Sequence, residues 1–301
     1  CGHLRVLAAR QCARLRRRIM SVLVIGANGT VGQYLRKHAD RLKASVEFVD
    51  LPELDISDRD AVERFFAKQS FGCVINLAAM TDVDGCEEDP EAAFRANAVG
   101  PWNLALAAQG NNFRLVQVST TQIFGGAGEP GPFSEMDVPS QPANVYARSK
   151  LAGERAVVAL WPKHYIVRTC WVMGGGPADK KFVGKVYARL KSGEPVKAVN
   201  DQWGSPTFAE DLAVLITDLV QTAAYGTYHA TNAGAATRHD MVLEMKRILN
   251  SSSEVTPVSH TAFPLPAARP TSEASQGLAL AARGLSMPSW QDALQRYLAQ
   301  F

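Results

Sequence analysis

The 301-residue chain has no long hydrophobic run, although 47% of its residues are hydrophobic. Its most apolar segments, at residues 21–25, 73–80 and 211–220, are short or interrupted, whereas about 18 to 20 consecutive apolar residues are needed to cross a bilayer. A composition with 20% charged residues, 23 Gly and 16 Pro also excludes a disordered, collagen-like or coiled-coil chain. The sequence therefore predicts a soluble protein with one large or two closely joined globular domains.

Cysteine and histidine are too few and too scattered to indicate a metal site. The five cysteines, at positions 1, 12, 73, 86 and 170, include no C-x-x-C pair, so neither a disulfide framework nor a zinc ribbon is indicated. The six histidines show no H-x-x-x-H spacing and no neighbouring cysteine pair. We therefore expect a reducing compartment, the cytoplasm, and no metal at the catalytic site.

Acidic residues are absent from residues 1–19, which hold six arginines. The other 26 Lys and Arg residues face 29 Asp and Glu residues, so the body of the chain lacks the basic surface that a nucleic acid requires. The segment also lacks the apolar core of a secretory signal, and Met20 directly precedes the first predicted strand. We expect residues 1–19 to be a disordered or non-native extension rather than an organelle presequence.

Predicted strands and helices alternate from residue 21 to about residue 170. Such alternation produces right-handed βαβ units and a parallel sheet covered on both faces. The predicted fold class is therefore doubly wound α/β, with a smaller C-terminal lobe. The β-branched runs lie at residues 21–25, 46–49, 73–77, 115–118 and 165–168, and the helical patterns at 31–38, 58–68, 91–108 and 145–160.

The alternation breaks after residue 170. Residues 174–177 read Gly-Gly-Gly-Pro, and four prolines between residues 257 and 270 restrict the tail to loops and short helices. We predict an NAD(P)-binding Rossmann domain at residues 20–170 and a substrate-binding lobe formed mainly by residues 171–301. Within that lobe, residues from about 207 to 231 are expected to return to the first domain.

A glycine-rich turn directly follows the first predicted strand and opens the first predicted helix. The sequence Gly26-Ala27-Asn28-Gly29-Thr30-Val31-Gly32 has the spacing G-x-x-G-x-x-G. Glycines in this position permit a tight turn, and the amide groups of the following helix stabilise a pyrophosphate. The strand-turn-helix context therefore favours nucleotide binding over a purely structural turn.

Asp50 ends the second predicted strand, about 20 residues beyond the glycines. A carboxylate at this place accepts hydrogen bonds from the adenosine ribose and repels a 2′-phosphate. This position favours NADH over NADPH. Asp55 and Ile56 lie where the chain is expected to meet the adenine.

Tyr146 and Lys150 have a spacing that makes them neighbours on one helix face. A lysine beside a phenol favours the phenolate, so we expect Lys150 to lower the pKa of Tyr146 and to assist proton donation to a carbonyl oxygen. Tyr187 and Lys191 have the same spacing, but only Tyr146 follows a strand that ends in hydroxyl groups, at residues 119–121. We interpret Tyr187 as structural.

Taken together, these stretches resemble an extended short-chain dehydrogenase/reductase. Further stretches narrow the resemblance to the dTDP-4-dehydrorhamnose reductase family, from about residue 22 to at least residue 232. They are Asn76-Leu77-Ala78-Ala79, Thr81-Asp82-Val83-Asp84, Asn144-Val145-Tyr146, Lys150-Leu151-Ala152-Gly153-Glu154, Arg168-Thr169-Cys170-Trp171-Val172 and Asn200-Asp201-Gln202-Trp203-Gly204-Ser205-Pro206-Thr207.

The resemblance implies NAD(P)H-dependent reduction of the 4-keto group of a nucleotide-linked deoxysugar. It makes Tyr146 the proton donor, Lys150 the residue that binds the nicotinamide ribose, and Thr120 the hydrogen-bond donor to the ketone oxygen. The implied substrate residues are Trp171, which would pack on the sugar, and Gln202 and Pro206 near the nucleotide sugar. The implied cofactor residues are Gly26, Asn28, Gly29, Val31, Gly32, Ala78, Ala79 and, on the helix behind the site, Asn97.

The chain departs from this family directly after Thr120. Where the family usually reads Ser-Thr-Asp-Tyr-Val-Phe, this sequence reads Ser-Thr-Thr-Gln-Ile-Phe at residues 119–124. The replaced residues, Thr121 and Gln122, are expected to face the sugar. The substitutions therefore bear on the identity of the substrate more than on the reaction.

We also expect the protein to form a homodimer. Two other functions remain open on the sequence alone. The first is an NAD-dependent epimerase or dehydratase of nucleotide sugars, because related enzymes share the Tyr/Lys pair. A dehydratase, however, would carry acidic residues where Thr121 and Gln122 stand. The second is a non-catalytic regulatory subunit like that of methionine adenosyltransferase, although the presence of Thr120, Tyr146 and Lys150 favours a catalyst.

Overall fold

A six-stranded parallel sheet forms the centre of the fold in the computed structural model, which describes residues 21–125 and 131–301. The predicted extension at residues 1–19 and Met20 lie outside the described residues. The spatial order of the strands is β2, β1, β3, β4, β5, β10, and every neighbouring pair is parallel, which confirms the predicted doubly wound α/β fold. These strands are β1 Ser21–Ile25, β2 Ser45–Val49, β3 Cys73–Asn76, β4 Arg114–Thr120, β5 His164–Thr169 and β10 Gly226–His229.

Helices cover both faces of this sheet. Successive side chains of a strand point to opposite faces, so Val22 and Val24 belong to one apolar cluster and Leu23 and Ile25 to another. The helices are α1 Thr30–Lys37, α2 Arg59–Lys68, α3 Val83–Glu88, α4 Pro90–Phe94, α5 Gly100–Asn111, α6 Val145–Leu160, α7 Phe182–Lys191, α8 Ala209–Leu219, α9 Arg238–Leu249, α10 Leu278–Ala281 and α11 Trp290–Leu298. None of these helices in the described part of the chain is long and apolar enough to span a membrane.

The strand order reverses between β1 and β3. After β1 the chain adds β2 on one side, and it then crosses back to place β3 on the other side. In open parallel sheets, ligands bind at such a switch point, beside the carboxyl ends of the strands. The glycine turn after β1, Asp50 after β2 and Ala78 after β3 all lie at this edge.

Three small two-stranded sheets lie after residue 171. The strand β6 (Val172–Met173) pairs with β9 (Thr207–Phe208), β7 (Val196–Val199) with β12 (Val255–Val258), and β8 (Trp203–Gly204) with β11 (Ala236–Thr237). A third apolar cluster joins residues of α7, α9 and α11 in this region. The strand β10 extends the main sheet beside β5.

The helix predicted at residues 91–108 is interrupted in the structure. A wide turn at Arg95–Val99 separates α4 from α5. Pro101 has no N–H group, so it cannot bond to the carbonyl of Asn97 as a regular helix would require. That carbonyl lies against α6, where a Cβ added to Gly153 would lie 2.1 Å from it. The interruption therefore permits a close approach to the helix that carries Tyr146 and Lys150.

Candidate active site

The glycine turn holds the backbone of β1 against the segment after β3. Gly26 has φ +79°, and a Cβ added to it would lie only 2.6 Å from the Ala78 nitrogen. Its own amide donates to the Val49 carbonyl at 3.0 Å, which also fastens the turn to the end of β2. Glycine is required here because both the positive φ and the close approach exclude a side chain.

The start of α1 is suited to bind an anion. No side chain caps the helix at Gly29, so its first amide groups retain the capacity to bind phosphate oxygens. A Cβ added to Gly32 would lie 2.5 Å from the Ala27 carbonyl oxygen, while Val31 packs against the apolar cluster of the sheet. The predicted loop residues therefore form one compact strand-turn-helix unit.

Asp50 bridges the turn and the end of β2. Its Oδ2 accepts a hydrogen bond from the Asn28 amide at 2.8 Å, and its Oδ1 accepts one from the Leu51 amide at 2.8 Å. A carboxylate has about four acceptor positions, so the side chain retains capacity for ribose hydroxyl groups. The structure thus brings Asp50 and Asn28 together, and the contact of Asp50 with ribose stays a prediction.

Asp55 and Ile56 differ in their surroundings. Ile56 is buried and packs against Gly100, where an added Cβ would lie 2.6 Å from the end of its side chain. Asp55 is exposed, and its Oδ1 accepts a hydrogen bond from the Ser57 amide at 2.8 Å. Their predicted proximity to an adenine stays a prediction.

Asn97 connects the segment after β3 to the helix α6. Its Oδ1 accepts from the Met80 amide at 2.9 Å, and its Nδ2 donates to the Met80 carbonyl and the Ser149 hydroxyl, each at 3.0 Å. Ala78 and Ala79 immediately precede Met80 and are half-buried. Asn97 is therefore placed to fix the predicted cofactor segment relative to the helix of Tyr146.

Thr120, Tyr146 and Lys150 meet at the carboxyl end of β4. The Thr120 hydroxyl lies close enough to the Tyr146 phenol to act on the pKa of the phenol. Lys150 is buried, and its Nζ donates to the Val118 carbonyl at 2.8 Å. The fold thus brings together a phenol, a hydroxyl and an ammonium group that lie up to 30 residues apart in sequence.

The predicted direction of the pKa of Tyr146 is wrong in this structure. Burial raises the pKa of Tyr146, and the neighbouring Thr120 hydroxyl opposes that rise. Burial also lowers the pKa of Lys150 to about 8, whereas the nearby Glu154 carboxylate opposes the change. Tyr146 therefore holds its proton at neutral pH, which is the form that a proton donor needs.

The two residues that depart from the family motif both contact Glu273. Thr121 is completely buried, and its Oγ1 donates to the Glu273 backbone carbonyl at 2.7 Å. The Gln122 side chain lies close to the Glu273 carboxyl group and accepts a hydrogen bond from Asn144 at 2.9 Å. The sequence did not indicate Glu273, because it lies in a proline-rich tail without a recognisable motif.

Trp171 is held by polar and cationic neighbours. Its Nε1 donates to Glu273 Oε1 at 2.6 Å, and the Arg238 guanidinium carbon lies 3.7 Å from the centre of its ring. Gly204 also approaches the indole, because an added Cβ would lie 2.4 Å from it. Trp171 has φ +42°, an uncommon conformation that these contacts stabilise. Packing of the indole on a sugar stays a prediction, since Arg238 covers a ring face here.

Arg238 is the second residue of this region that the sequence did not indicate. Burial lowers its pKa to about 10, and the nearby Glu273 opposes that change. Within the described residues, its guanidinium has no carboxylate partner closer than 4.0 Å, although it contacts the Phe182 ring and the Met241 sulfur. It therefore places a positive charge beside Trp171.

Gln202 and Pro206 lie on the segment around β8. Gln202 Nε2 donates to the Arg269 carbonyl at 3.4 Å, and Pro206 is buried. Arg269 in turn forms an ion pair with Asp84 at 2.9 Å. The predicted substrate segment thus contacts the tail that carries Glu273.

The Tyr187 ring packs on Phe301 with 4.4 Å between ring centres, inside the C-terminal apolar cluster. This packing agrees with its interpretation as structural. In residues 21–125 and 131–301, no group of three or more His, Cys, Asp or Glu side chains is arranged to hold a metal ion.

Comparisons with known proteins agree in pointing to one family. A family model described as the RmlD substrate binding domain matches residues 20–301. The dTDP-4-dehydrorhamnose reductase of Mycolicibacterium smegmatis is 38% identical over 291 residues, which cover 95% of this chain and 88% of that protein.

Solved structures of similar proteins cover nearly the whole chain. A dTDP-4-dehydrorhamnose reductase from Clostridium acetobutylicum is 36% identical, with a TM-score of 0.87 over 93% of this chain and 99% of that one. The dTDP-4-dehydrorhamnose reductase of Bacillus anthracis in complex with NADP is 34% identical, with a TM-score of 0.88 over 94% and 99%.

Proposed function

The chain belongs to the dTDP-4-dehydrorhamnose reductase family and is an NAD(P)H-dependent reductase of a nucleotide-linked 4-keto sugar, and on this premise we propose that Thr120, Tyr146 and Lys150 catalyse the reduction. This assignment rests on one observation: the three side chains lie close together at the carboxyl end of β4. That end lies beside the switch point at which a doubly wound sheet binds its nucleotide.

The three side chains have separate tasks. Bound NAD(P)H supplies a hydride to the C4 carbon of the keto sugar. The Tyr146 hydroxyl donates its proton to the C4 oxygen as the C–H bond forms, so the ketone becomes a hydroxyl group and Tyr146 becomes a phenolate. Thr120 donates a hydrogen bond to the same oxygen and stabilises its developing negative charge. Lys150 binds the nicotinamide ribose and stabilises the phenolate until solvent returns the proton.

The glycine turn is the proposed phosphate-binding part of the site. Gly26, Gly29 and Gly32 bring the backbone to the cofactor, and Asn28 and Val31 complete the turn. Ala78, Ala79 and Asn97 form the next boundary of the cofactor, and Asp55 and Ile56 lie near its adenine. The carboxylate of Asp50, already fixed by two backbone amides at 2.8 Å, favours the ribose of NADH over the 2′-phosphate of NADPH.

The substrate-binding side is proposed to lie in residues 171–301, against the cofactor domain at residues 20–170. Trp171, Gln202 and Pro206 contribute from this side, and Thr121 and Gln122 face them from the end of β4. We further propose that the enzyme acts in the cytoplasm as a homodimer and contributes to deoxysugar synthesis for a polysaccharide or a glycosylated product.

A direct assay tests this function. Protein beginning at Met20 is incubated with dTDP-4-dehydro-L-rhamnose and either NADH or NADPH, while the absorbance of the reduced nicotinamide is followed and the product sugar identified. Oxidation of the cofactor together with a 4-hydroxy sugar is the expected result. An enzyme that retains NAD through purification and interconverts sugars without net oxidation is instead an epimerase. Binding without turnover of any keto sugar would contradict the catalytic assignment and favour a regulatory subunit.

A further inference from the structure

Three residues that are predicted to face the sugar lie next to Glu273. The Thr121 hydroxyl bonds to the Glu273 backbone carbonyl at 2.7 Å and the Trp171 indole to Glu273 Oε1 at 2.6 Å, while the Gln122 side chain lies close to the Glu273 carboxyl group. The Glu273 amide donates to the Trp203 carbonyl at 2.9 Å, which fixes the backbone as well. One residue of the C-terminal tail therefore joins the end of β4 to the segment after β5.

The carboxyl group of Glu273 has an environment that is unusual for a purely structural acid. It is only 6% exposed, and within the described residues no Lys or Arg nitrogen lies within 4.0 Å of it. Its hydrogen-bond donor is the neutral Trp171 indole, and the neutral Gln122 and Cys170 side chains lie near it. Since a carboxylate offers about four acceptor positions, it retains capacity for a further donor.

The position of this carboxyl group relates it to the reacting atoms. The hydrogen bond from Thr121, the neighbour of Thr120, places Glu273 beside the end of β4. The charge of Glu273 also acts on the pKa values of Tyr146 and Arg238, so the carboxyl group lies near both the proposed proton donor and the guanidinium that covers Trp171. A sugar whose C4 oxygen reaches Tyr146 presents its remaining ring hydroxyl groups within the surrounding few ångströms.

We propose that Glu273 determines the specificity of the keto-sugar site: its carboxylate accepts a hydrogen bond from a ring hydroxyl of the sugar. Through Gln122 and Trp171 it also fixes the surface against which the ring lies. A buried acceptor of this kind rejects an analogue that lacks the hydroxyl, because the acceptor is then left unpaired. This inference rests on the proposed function, since it takes the keto sugar as the ligand.

The test combines a neutral isostere of Glu273 with substrates that lack one ring hydroxyl. Wild type and Glu273→Gln are assayed with the 4-keto sugar nucleotide and with its 2-deoxy and 3-deoxy analogues. We expect the wild type to prefer one hydroxylated sugar over its deoxy analogue by about 30-fold or more in kcat/KM. In Glu273→Gln, kcat/KM for the full substrate is expected to fall at least about tenfold, with the preference reduced to a few-fold.

Glu135 provides the matched control. Its carboxylate also fastens the C-terminal tail, because it accepts from the backbone amides of His229 at 2.9 Å and Leu278 at 3.0 Å. Glu135→Gln should lower the melting temperature but leave the preference between hydroxylated and deoxy sugars at the wild-type value. The affinity of both variants for the nicotinamide cofactor should stay within about twofold of wild type.

The outcomes separate this inference from the proposed function. If the wild type reduces no 4-keto sugar, the proposed function fails, and the role of Glu273 fails with it. If the wild type is active and Glu273→Gln keeps the wild-type preference against both deoxy analogues, only the role of Glu273 is overturned. Should Glu273→Gln fail to fold, Glu273→Ala, which also removes the carboxylate, replaces it, and an unchanged preference in that variant overturns the role equally.

Discussion

The two sides of the site are built in different ways. On the cofactor side, the glycine turn, Asp50 and Ala78 come from the ends of three strands within about 55 residues, and their contacts are mainly between backbone atoms. On the substrate side, Gln122, Trp171 and Glu273 come from segments up to 151 residues apart and bond through side chains. The cofactor side is therefore held rigidly by backbone contacts, whereas the substrate side is held by a few side chains.

The largest expected effect is on the chemistry that both sides share. Replacing Tyr146 by Phe removes the proposed proton donor but keeps the ring, so turnover should fall by at least about 10²-fold while NADH binding stays nearly intact. Stopped-flow oxidation of the cofactor and fluorescence titration measure the two quantities. Tyr187→Phe is the control, because Tyr187 has the same spacing to a lysine but packs on Phe301. A comparable loss of cofactor affinity in Tyr146→Phe would contradict its role as proton donor.

The next largest effect is expected on the cofactor side alone, in its affinity for the cofactor. In Gly26→Ala, the new Cβ meets the Ala78 nitrogen at 2.6 Å, and φ +79° is unfavourable for alanine. Because the atoms next to the new Cβ belong to the backbone, they can move little. We therefore expect a strain of about 1–2 kcal/mol or more. Cofactor affinity should therefore fall about tenfold or more, together with a lower melting temperature. Unchanged affinity in calorimetric titration would show that the turn does not approach the cofactor.

A second glycine tests the substrate side in the same manner. In Gly204→Ala, the new Cβ would lie 2.4 Å from the indole of Trp171, which is a side chain and can shift. We expect KM for the keto sugar to rise about fivefold, with cofactor affinity within about twofold of wild type. Gly110→Ala is the control, since nothing lies within 4 Å of its added Cβ. Equal losses for cofactor and sugar in Gly204→Ala would remove the distinction between the two sides.

The same contrast explains what the sequence could predict. The turn at Gly26 and the pair Tyr146 and Lys150 are local patterns, because a strand, a turn or one helical turn brings their residues together. The parallel sheet follows from local alternation in the same way. Glu273 and Arg238 have no such pattern, since only the packing of the C-terminal tail brings them to Trp171.

The pKa of Tyr146 shows a related limit of sequence reasoning. The spacing to Lys150 indicates an electrostatic effect that lowers this pKa, but it contains no information on how deeply helix α6 is buried. In the structure, burial has the larger effect and raises the pKa. The Lys150 ammonium meanwhile donates to the Val118 carbonyl. Burial depends on every element packed around the helix and is therefore a property of the whole fold.

The smallest expected effect concerns the choice between two cofactors on the rigid side. Asp50 accepts hydrogen bonds from the Asn28 and Leu51 amides, so Asp50→Ala should loosen the turn and weaken both cofactors somewhat. Loss of the proposed ribose contact should weaken NADH binding further, while loss of the negative charge favours the 2′-phosphate of NADPH. The ratio of the two dissociation constants, measured by titration, cancels the shared loss and should shift about threefold toward NADPH. Asp55→Ala, which removes an exposed carboxylate outside the turn, should leave that ratio nearly unchanged. An unchanged ratio in Asp50→Ala would mean that this carboxylate serves only the backbone of the turn, and that cofactor choice is made elsewhere.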